Sequence, residues 1–342
     1  MEWLRLPAWA FGLAAGLRAG CYESGLLRAH AAAAPVFSLG NITAGGTGKT
    51  PGVVWLAREL ARRGRRPGVL SRGYGAPRGA GGSGWNDESR MLQVLLPGVV
   101  QVARADRVRG AAELVAQGAQ AIVLDDGFQH RRLARDADFV LVDATRPWGL
   151  ARDAKGASVR AFLPRGLLRE SPRELARADV LIVTRADQVP SGWLADLCRE
   201  LETYAPGVPQ VQARHAPRTL RRDDGALESL DALAGADVDL ISGIGNPQGF
   251  ADTVRSLGAR IHGERRFSDH HPFGPGDAAG LGGAGRRLLC TAKDLPKLAA
   301  LGIPCAALEV ELEFLTSPAA LEARIDAVLD ARVDAPRQSR RP

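Results

Sequence analysis

The residues best suited to chemistry lie in a glycine-rich segment, GNITAGGTGKTP at 40–51, between an apolar stretch and a helical one. Glycines let backbone N–H groups converge on phosphate oxygens, and the following helix N-terminus adds positive partial charge. Lys49 then reaches the β- and γ-phosphates, and the Thr50 hydroxyl binds Mg²⁺. A glycine-rich turn without a ligand is the alternative. The segment predicts an ATP and Mg²⁺ site formed by Thr43, Ala44, Gly45, Gly46, Thr47, Gly48, Lys49, Thr50 and Pro51, with Thr43 replacing the first glycine of the common pattern.

Two adjacent carboxylates, Asp125 and Asp126, end the apolar run AIVLDD at 121–126. Enzymes that transfer phosphoryl groups from a phosphate-binding loop hold Mg²⁺ with an aspartate at such a strand end. Either carboxylate can serve, directly or through water, and the sequence does not choose between them. A pair of solvated turn carboxylates is the alternative.

The composition is that of a globular protein: 342 residues, 45% hydrophobic and 24% charged, which excludes wholesale disorder. The net charge is +7, and only four of the 45 basic residues are lysines. Arginine favours bidentate contacts with phosphate, so the surplus fits phosphorylated ligands, nucleic acid or an anionic membrane. A genome-wide arginine preference explains it equally well. The four cysteines include no CxxC pair, which argues against a zinc site or a disulfide framework.

An uncharged stretch, LPAWAFGLAAGL, occupies residues 6–17. As a helix it spans about 18 Å, well short of the ~30 Å hydrocarbon core of a bilayer. Arginines flank it and Trp9 lies within it, so the stretch predicts a helix in the headgroup region of a membrane. A buried first helix and a secretory signal are the alternatives.

Apolar runs alternate with helical stretches from about residue 35 onward. Short Val/Ile/Leu runs separated by helices indicate parallel strands of an α/β sheet. The predicted strands are 36–41, 66–73, 101–104, 121–126, 138–144 and 179–187, with helices at 50–64 and 109–119. A second α/β unit follows a Pro-rich connection, and its predicted strand–loop–helix segments are 236–250 and 286–298. The stretches 209–217 and 303–314 are expected to pair as a two-stranded link.

The chain resembles one family closely, the tetraacyldisaccharide 4'-kinases (lipid A 4'-kinases) of Gram-negative bacteria, over about residues 1–315. The motifs that carry the resemblance are GNITAGGTGKTP, SRGYG (71–75), DDGFQH (125–130), LPRGLLRE (163–170), GIGNPQGF (243–250), FSDHH (267–271) and TAKD (291–294). The resemblance implies transfer of the ATP γ-phosphate to the 4'-hydroxyl of a tetraacylated glucosamine disaccharide 1-phosphate. The product is lipid IVA. The resemblance also implies a peripheral protein at the cytoplasmic face of the inner membrane.

The resemblance also implies a fold: a P-loop-type three-layer α/β/α sandwich and a second, smaller α/β/α domain, joined by a two-stranded β linker with a cleft between the domains. The expected boundaries are a membrane-surface helix at 1–30, the P-loop kinase domain at 31–205, a linker strand at 206–222, the smaller domain at 223–302, the return strand and C-terminal helix at 303–330, and a disordered tail at 331–342.

The family's general base maps by resemblance to Asp87 in GWNDESRML (84–92), with Glu88 as the nearest rival. Asn86 and Ser89 depart from the usual neighbours of this base. A carboxylate on the acceptor hydroxyl takes its proton during attack on phosphorus, which typically contributes about 10²–10⁴-fold. A loop or cap carboxylate is the alternative.

The histidine partner of that base maps to His270 in FSDHH, and His271 is adjacent. Domain closure is expected to bring His270 onto the base. Further residues are expected to contact phosphate or substrate: Arg72, Arg107, Gln129, His130 and Glu170. For the two arginines, surface salt bridges are the alternative.

A membrane-surface lipid kinase is therefore the main interpretation. A P-loop enzyme acting on a soluble acceptor and a non-catalytic nucleotide switch with an acidic partner are the alternatives. No RNA-binding signature with interleaved aromatic residues is present in the sequence, so nucleic acid is not an expected partner. We expect a monomer acting on a lipid substrate.

Overall fold

A computed structural model describes residues 4–45, 48–73, 87–150, 159–269, 271–283 and 285–334. Two compact units share the chain: residues 1–74, 98–214 and 313–342 form the first, and residues 75–97 and 215–312 form the second. In chain order the elements are α1 Arg5–Glu23, β1 Val36–Gly40, α2 Lys49–Arg62, β2 Pro67–Ser71, α3 Asp87–Leu95, β3 Val100–Ala103, α4 Arg107–Ala116, β4 Ala121–Asp125, β5 Ala137–Asp143, β6 Val180–Thr184, α5 Ser191–Tyr204, β7 Gln210–Arg222, β8 Leu227–Glu228, β9 Asp237–Ser242, α6 Pro247–Ser256, β10 Arg260–Arg266, β11 Arg287–Thr291, α7 Leu295–Ala300, β12 Ala306–Phe314 and α8 Ala319–Asp334.

The sheet of the first unit has the strand order β7-β6-β5-β1-β4-β2-β3. Its strands pair in parallel from β7 to β3. Strands β1, β2, β4, β5 and β6 are buried along their whole length, as expected when helices cover both faces of a parallel sheet. Leu39 of β1 is in register with Asp125 of β4, so the loops that follow these two strands leave the sheet side by side.

The sheet of the second unit has the order β10-β9-β11-β12-β7, and the short β8 pairs with β7 in antiparallel fashion. Strands β10, β9, β11 and β12 are parallel. The loops beginning at Gly243, Phe267 and Ala292 follow β9, β10 and β11, so three of the sequence motifs share one edge of this sheet. Strands β7 and β12, through which the chain passes from one unit to the other, are neighbours.

The predicted α/β fold with mainly parallel strands is confirmed. The helix expected at 109–119 begins earlier, at Arg107, because the Asp106 side chain accepts hydrogen bonds from the N–H groups of Val108 and Arg109 and so caps it. Sequence patterns did not predict α3, α5 or β10. Among the described residues, no helix is long and apolar enough to cross a membrane.

Helix α1 packs on the first unit through its small residues. Ala8 and Ala19 are buried, and a Cβ added at Gly12 would lie 2.6 Å from two ring atoms of Phe162. The large apolar side chains face outward instead. This outer stripe is spaced three or four residues apart along one helix face and consists of Leu6 (78% exposed), Trp9 (68%), Leu13 (48%) and Leu17 (63%).

Candidate functional site

The phosphate loop, residues 41–48, connects β1 to α2. Gly48 adopts a left-handed conformation (φ 73°) immediately before the helix, which favours glycine at that position. Among the described residues, no side chain caps the N-terminus of α2. The first-turn N–H groups of α2 therefore form the kind of helix N-terminus that binds anions, with Thr50 and Pro51 in that turn. Gly46 and Thr47 lie outside the described residues.

The acidic loop, residues 125–130, crosses the end of β1 at close range. A Cβ added at Gly40 would lie 2.7 Å from the Cβ of Phe128 and 2.9 Å from its backbone nitrogen. Both distances are shorter than real Cβ contacts allow, so only glycine permits this approach. The crossing brings the acidic loop beside the phosphate loop.

A bracing segment, residues 161–170, holds the phosphate loop from its other side. The N–H of Ala44 donates to the carbonyl of Leu167 (2.7 Å), and the N–H of Arg169 donates to the carbonyl of Ile42 (2.8 Å). Thr43 and Leu168 form an antiparallel bridge between these two contacts. Thr43 is buried, so this variant residue serves the packing of the loop.

Four side chains converge at the start of α2. The Lys49 ammonium lies 3.4 Å from Asp126 Oδ1 and 3.4 Å from Asn41 Oδ1. Both carboxylate oxygens of Asp126 accept hydrogen bonds from the Arg169 guanidinium, each at 2.7 Å. Arg169 also donates to the side-chain and main-chain oxygens of the buried Asn41. Two cations and one carboxylate are thus arranged around a single buried amide.

The charges of this cluster keep Asp126 ionised. Burial acts to raise the pKa of Asp126, but the charge of Lys49 and the hydrogen bonds from Arg169 outweigh it, and the pKa falls well below its usual range. Asp126 also has a left-handed backbone (φ 55°), which is uncommon for a residue with a side chain. Asp125, the last residue of β4, is buried beside it. Ionised carboxylates are the donors that Mg²⁺ prefers.

Arg107 is buried behind the acidic pair. Its guanidinium donates to the main-chain carbonyls of Ser71 and Arg104. Burial lowers its pKa to about 10, while the charges of Asp125 and Asp126 act to raise it. Arg107 therefore stays protonated at neutral pH and adds fixed positive charge to the site. Arg72 is exposed just after β2, and its charge also lowers the pKa of Arg107.

Gln129 and Glu170 connect the acidic loop to the bracing segment. Gln129 Nε2 donates to the Asn41 carbonyl (2.8 Å) and to Glu170 Oε2 (3.1 Å). The same Glu170 oxygen accepts a hydrogen bond from Arg177 (2.9 Å). Both residues thus fix neighbouring elements. His130 ends the loop, and burial together with the charge of Arg107 lowers its pKa to about 4.

The predicted general base, Asp87, and its predicted partner, His270, fall within the chain ranges of the second unit. Asp87 is the first residue of α3, and its side chain lies outside what the structure describes. His270 also falls outside the described residues. The candidate roles of both residues therefore remain predictions.

The neighbouring His271 contacts two aromatic rings and one carboxylate. Its ring stacks on Phe267 (centroids 4.2 Å apart) and meets Phe273 edge-on. Its Nε2 lies 2.9 Å from Asp277 Oδ2. These contacts occupy both the ring and Nε2 of His271.

Sequence reasoning missed Asn41, Arg169 and Arg177 as site residues. The signal for Arg169 was its place in LPRGLLRE, a motif that carries the family resemblance. Asn41 stands directly before the glycine-rich run, where a buried polar residue has to find partners. Arg177 lies outside the motifs that carry the resemblance, and its only signal is the surplus of arginines in residues 151–177.

Comparison with known proteins gives consistent matches along the chain. The profile of the family described as "Tetraacyldisaccharide-1-P 4'-kinase" matches residues 1–330. A protein named tetraacyldisaccharide 4'-kinase from Anaeromyxobacter sp. (strain K) is 41% identical, covering 96% of this chain and 90% of that protein. One of the same name from Geobacter sulfurreducens is 36% identical, covering 95% and 93%.

The fold has a solved counterpart as well. A crystal structure of LpxK from Aquifex aeolicus in complex with ATP matches with a TM-score of 0.74 and 27% identity, covering 96% of this chain and 99% of that one. Sequence and fold agree along nearly the whole length, and this chain belongs to the tetraacyldisaccharide-1-P 4'-kinase family and is a kinase.

Proposed function

We propose that this chain transfers the γ-phosphoryl group of ATP to the 4'-hydroxyl of a tetraacylated glucosamine disaccharide 1-phosphate, giving lipid IVA. The observation that carries the proposal is the cluster of Lys49, Asp126, Arg169 and Asn41 at the start of α2, in a chain that belongs to this kinase family. The crystal structure of the Aquifex relative contains ATP, which supports ATP as the donor here.

Lys49 is proposed to bind the β- and γ-phosphates. In the structure its ammonium lies 3.4 Å from Asp126, and phosphate oxygens would take over that contact. Arg169 holds both oxygens of Asp126 and keeps the carboxylate in place when Lys49 turns to the nucleotide. The backbone from Thr43 to Lys49 and the first turn of α2, including Thr50 and Pro51, would surround the phosphates.

The residues fit a Mg²⁺ ion. Thr50, Asp125 and Asp126 offer the hard oxygen donors that this ion requires, and the low pKa of Asp126 leaves that carboxylate ionised. Bound there, the ion would neutralise charge on the phosphate oxygens. The chain's own contribution is to hold the Asp126 carboxylate through Arg169 and to place Asp125 at the end of β4.

Asp87 is proposed as the general base. Its carboxylate would take the proton of the 4'-hydroxyl while that oxygen forms a bond to the γ-phosphorus. The bond between the γ-phosphorus and the bridging oxygen would break, and ADP would leave with that electron pair. His270 is proposed to orient Asp87. Arg72 and Arg107 would supply positive charge, and the pKa of about 10 keeps Arg107 protonated. Gln129, His130 and Glu170 would position the loops that meet substrate and metal.

Helix α1 is proposed to hold the enzyme as a peripheral monomer at the cytoplasmic face of the inner membrane. Its outer stripe exposes three leucines and Trp9, whereas a core helix would bury such side chains. The lipid substrate keeps its acyl chains in the bilayer, so a helix lying in the headgroup region would keep the enzyme beside the sugar.

Direct phosphoryl transfer tests the proposal. Purified protein, Mg²⁺-ATP and the tetraacyl disaccharide 1-phosphate are incubated in detergent micelles, and mass spectrometry measures the addition of one phosphoryl group. The wild type should give product, and Asp87→Asn should lower kcat by about 10²–10⁴-fold. Glu88→Gln is the matched control and should keep its activity.

Each other outcome is informative. Loss of activity in Glu88→Gln but not in Asp87→Asn would move the base to Glu88. No product from folded, ATP-binding wild type would overturn the lipid acceptor, and soluble alcohols would be tested next.

A further inference from the structure

Helix α1 exchanges hydrogen bonds with the end of the acidic loop in both directions. From the helix, Arg18 donates to the main-chain carbonyl of Gln129 (3.0 Å). Towards the helix, Arg131 donates to the carbonyl of Ala19 (3.2 Å) and to Oε1 of Glu23 (3.0 Å). The two sets of contacts fix the last turns of α1 against residues 129–131.

Arg131 is the central residue of this contact. Its side chain is 6% exposed, and its other terminal nitrogen pairs with Glu174 at 2.5 Å. Glu174 also accepts a hydrogen bond from Arg177 (2.8 Å), and the Arg177 guanidinium lies 4.0 Å from the ring centroid of Phe128. Through Glu174 and Arg177, Arg131 thus connects α1 to Phe128 of the acidic loop.

A short series of contacts continues from α1 to Lys49, the lysine proposed to bind the phosphates. Arg18 holds the carbonyl of Gln129, the Gln129 side chain donates to the Asn41 carbonyl at 2.8 Å, and Lys49 lies 3.4 Å from the Asn41 side chain. Hydrogen bonds in such a network polarise and constrain one another. The position of α1 therefore bears on the position of the Lys49 ammonium.

A second contact reaches the phosphate loop independently. Gly12 of α1 packs on the ring of Phe162, which forms a bridge with Leu168. Leu168 in turn bridges Thr43, and the neighbouring Leu167 carbonyl binds the N–H of Ala44. Helix α1 thus rests on both segments that hold the phosphate loop.

The opposite face of α1 fits a lipid surface of negative charge. The outer stripe is apolar and includes Trp9, a residue typical of the membrane interface. Arg5 begins the helix and Arg28 follows it, both exposed, and the whole chain carries a net charge of +7. This combination of apolar contact and positive charge favours anionic headgroups.

We infer that α1 is a positioning element of the nucleotide site, so that binding of α1 to an anionic membrane and binding of ATP reinforce each other through Arg18, Glu23 and Arg131. The inference rests on the nucleotide site and membrane location proposed above. A helix fixed on lipid restricts the loops it holds, so less ordering remains when ATP binds. Linkage is reciprocal, so ATP tightens membrane binding by the same factor.

The test compares nucleotide affinity with and without membrane. The Kd of a fluorescent, non-hydrolysable ATP analogue with Mg²⁺ is measured alone and with vesicles of equimolar phosphatidylcholine and phosphatidylglycerol. Cosedimentation establishes that the vesicles bind all of the protein. Since coupling factors are typically about 5–150-fold, we expect saturating vesicles to tighten the wild-type Kd by about fivefold or more.

The double variant Arg18→Gln/Glu23→Gln breaks the contact at the protein surface and leaves the net charge unchanged. For this variant, the ratio of the Kd without vesicles to the Kd with saturating vesicles should fall below about twofold. A matched control, Asp196→Asn/Arg199→Gln, removes an exposed ion pair on α5 and should keep the full effect. Because a purely structural contact would alter stability but not the vesicle dependence, the comparison separates the two roles.

Two results would overturn the inference: a wild type whose Kd ignores saturating vesicles, or a double variant that keeps the effect of the control. The micelle assay separates this from the proposed function. Linkage without phosphoryl transfer would refute the kinase reaction alone, and transfer without linkage would refute the positioning role of α1 alone.

Discussion

Two aspartates follow parallel strands in the two units, and they are held in opposite ways. Asp126, after β4, binds the cations Lys49 and Arg169, and these lower its pKa. Asp294, three residues after β11, is fully buried and accepts hydrogen bonds from the Gly243 N–H (3.1 Å) and the Thr291 hydroxyl (2.7 Å). Burial raises the pKa of Asp294.

The difference teaches how one topological position can serve binding or structure. Neutral donors tie Asp294 to the loop after β9 and join two motifs of the second unit. Arg169 holds both oxygens of Asp126, and Lys49, 3.4 Å from that carboxylate, is the cation proposed to turn to the phosphates. We propose that the paired charges at Asp126 serve binding, whereas the neutral hydrogen bonds of Asp294 hold its loop in place.

The largest effect is expected when the contact between Lys49 and Asp126 is removed. Lys49→Met should lower kcat by about 10²–10³-fold, because a positive charge aimed at the transferring phosphoryl group is lost. The micelle assay measures it, with Lys297→Met, a substitution in the second unit, as the comparison. A Lys49→Met variant with wild-type kcat would contradict the role of this lysine.

Next comes the residue that holds Asp126. Arg169→Met removes two hydrogen bonds to a carboxylate, each of a kind worth about 1.5–3 kcal/mol. We expect a lower free energy of unfolding in urea and a weaker Kd for Mg²⁺-ATP. The exposed Arg173→Met is the control. Equal stability of the two variants would show that Arg169 does not support the site.

A third prediction sharpens the comparison through pH. An aspartate in an unfolded chain has a pKa of about 3.9. The lowered pKa of Asp126 contributes stability above that value, which is lost as the pH falls towards the folded pKa. The raised pKa of Asp294 does the reverse, so stability is lost as the pH rises through the range above about 4.

Urea denaturation checks these signs, with Asp126→Asn compared at about pH 3 and 5 and Asp294→Asn at about pH 4 and 6. Relative to wild type, Asp126→Asn should be more destabilised at the higher pH. Asp294→Asn should gain stability relative to wild type between the lower and the higher pH. Parallel pH trends in the two variants would refute the contrast.

The smallest effect is expected at His130. Its folded pKa of about 4 lies below the unfolded value of about 6.5, so its contribution to stability is present above 6.5 and is lost as the pH falls towards 4. His130→Gln should flatten this part of the stability profile. NMR titration should show the ring neutral from about pH 6 to 8. A midpoint near 6.5 would contradict the effect of burial and Arg107.

The sequence predicted the parts of the site that depend on local pattern. An apolar strand followed by GGTGKT predicts the phosphate loop, and an apolar strand ending in two aspartates predicts the acidic loop. Parallel pairing of β1 with β4 then brings the two loops together, as the register of Leu39 with Asp125 shows. The family motifs, taken together, gave the fold and the kinase class.

The sequence could not predict which groups the charged side chains of the site contact. Arg169 lies 43 residues from Asp126 and 128 residues from Asn41, so no periodicity connects them. Their meeting depends on the bracing segment returning to pair with Thr43, which is a tertiary event. Helix α4 begins earlier than predicted for a local reason, because the Asp106 side chain caps it.

Helix α1 buries small residues and exposes large apolar ones, and this affects how its tolerance to mutation would be scored. Large apolar residues at Leu6, Trp9, Leu13 and Leu17 bury little area in the fold, so polar replacements there should scarcely change the melting temperature. A bulkier residue at Gly12 should change it strongly, because the ring of Phe162 occupies the space. A screen that scores thermal stability would rank the leucines as freely replaceable, whereas the proposed membrane contact predicts that a screen that scores growth of the cell ranks them among the constrained positions.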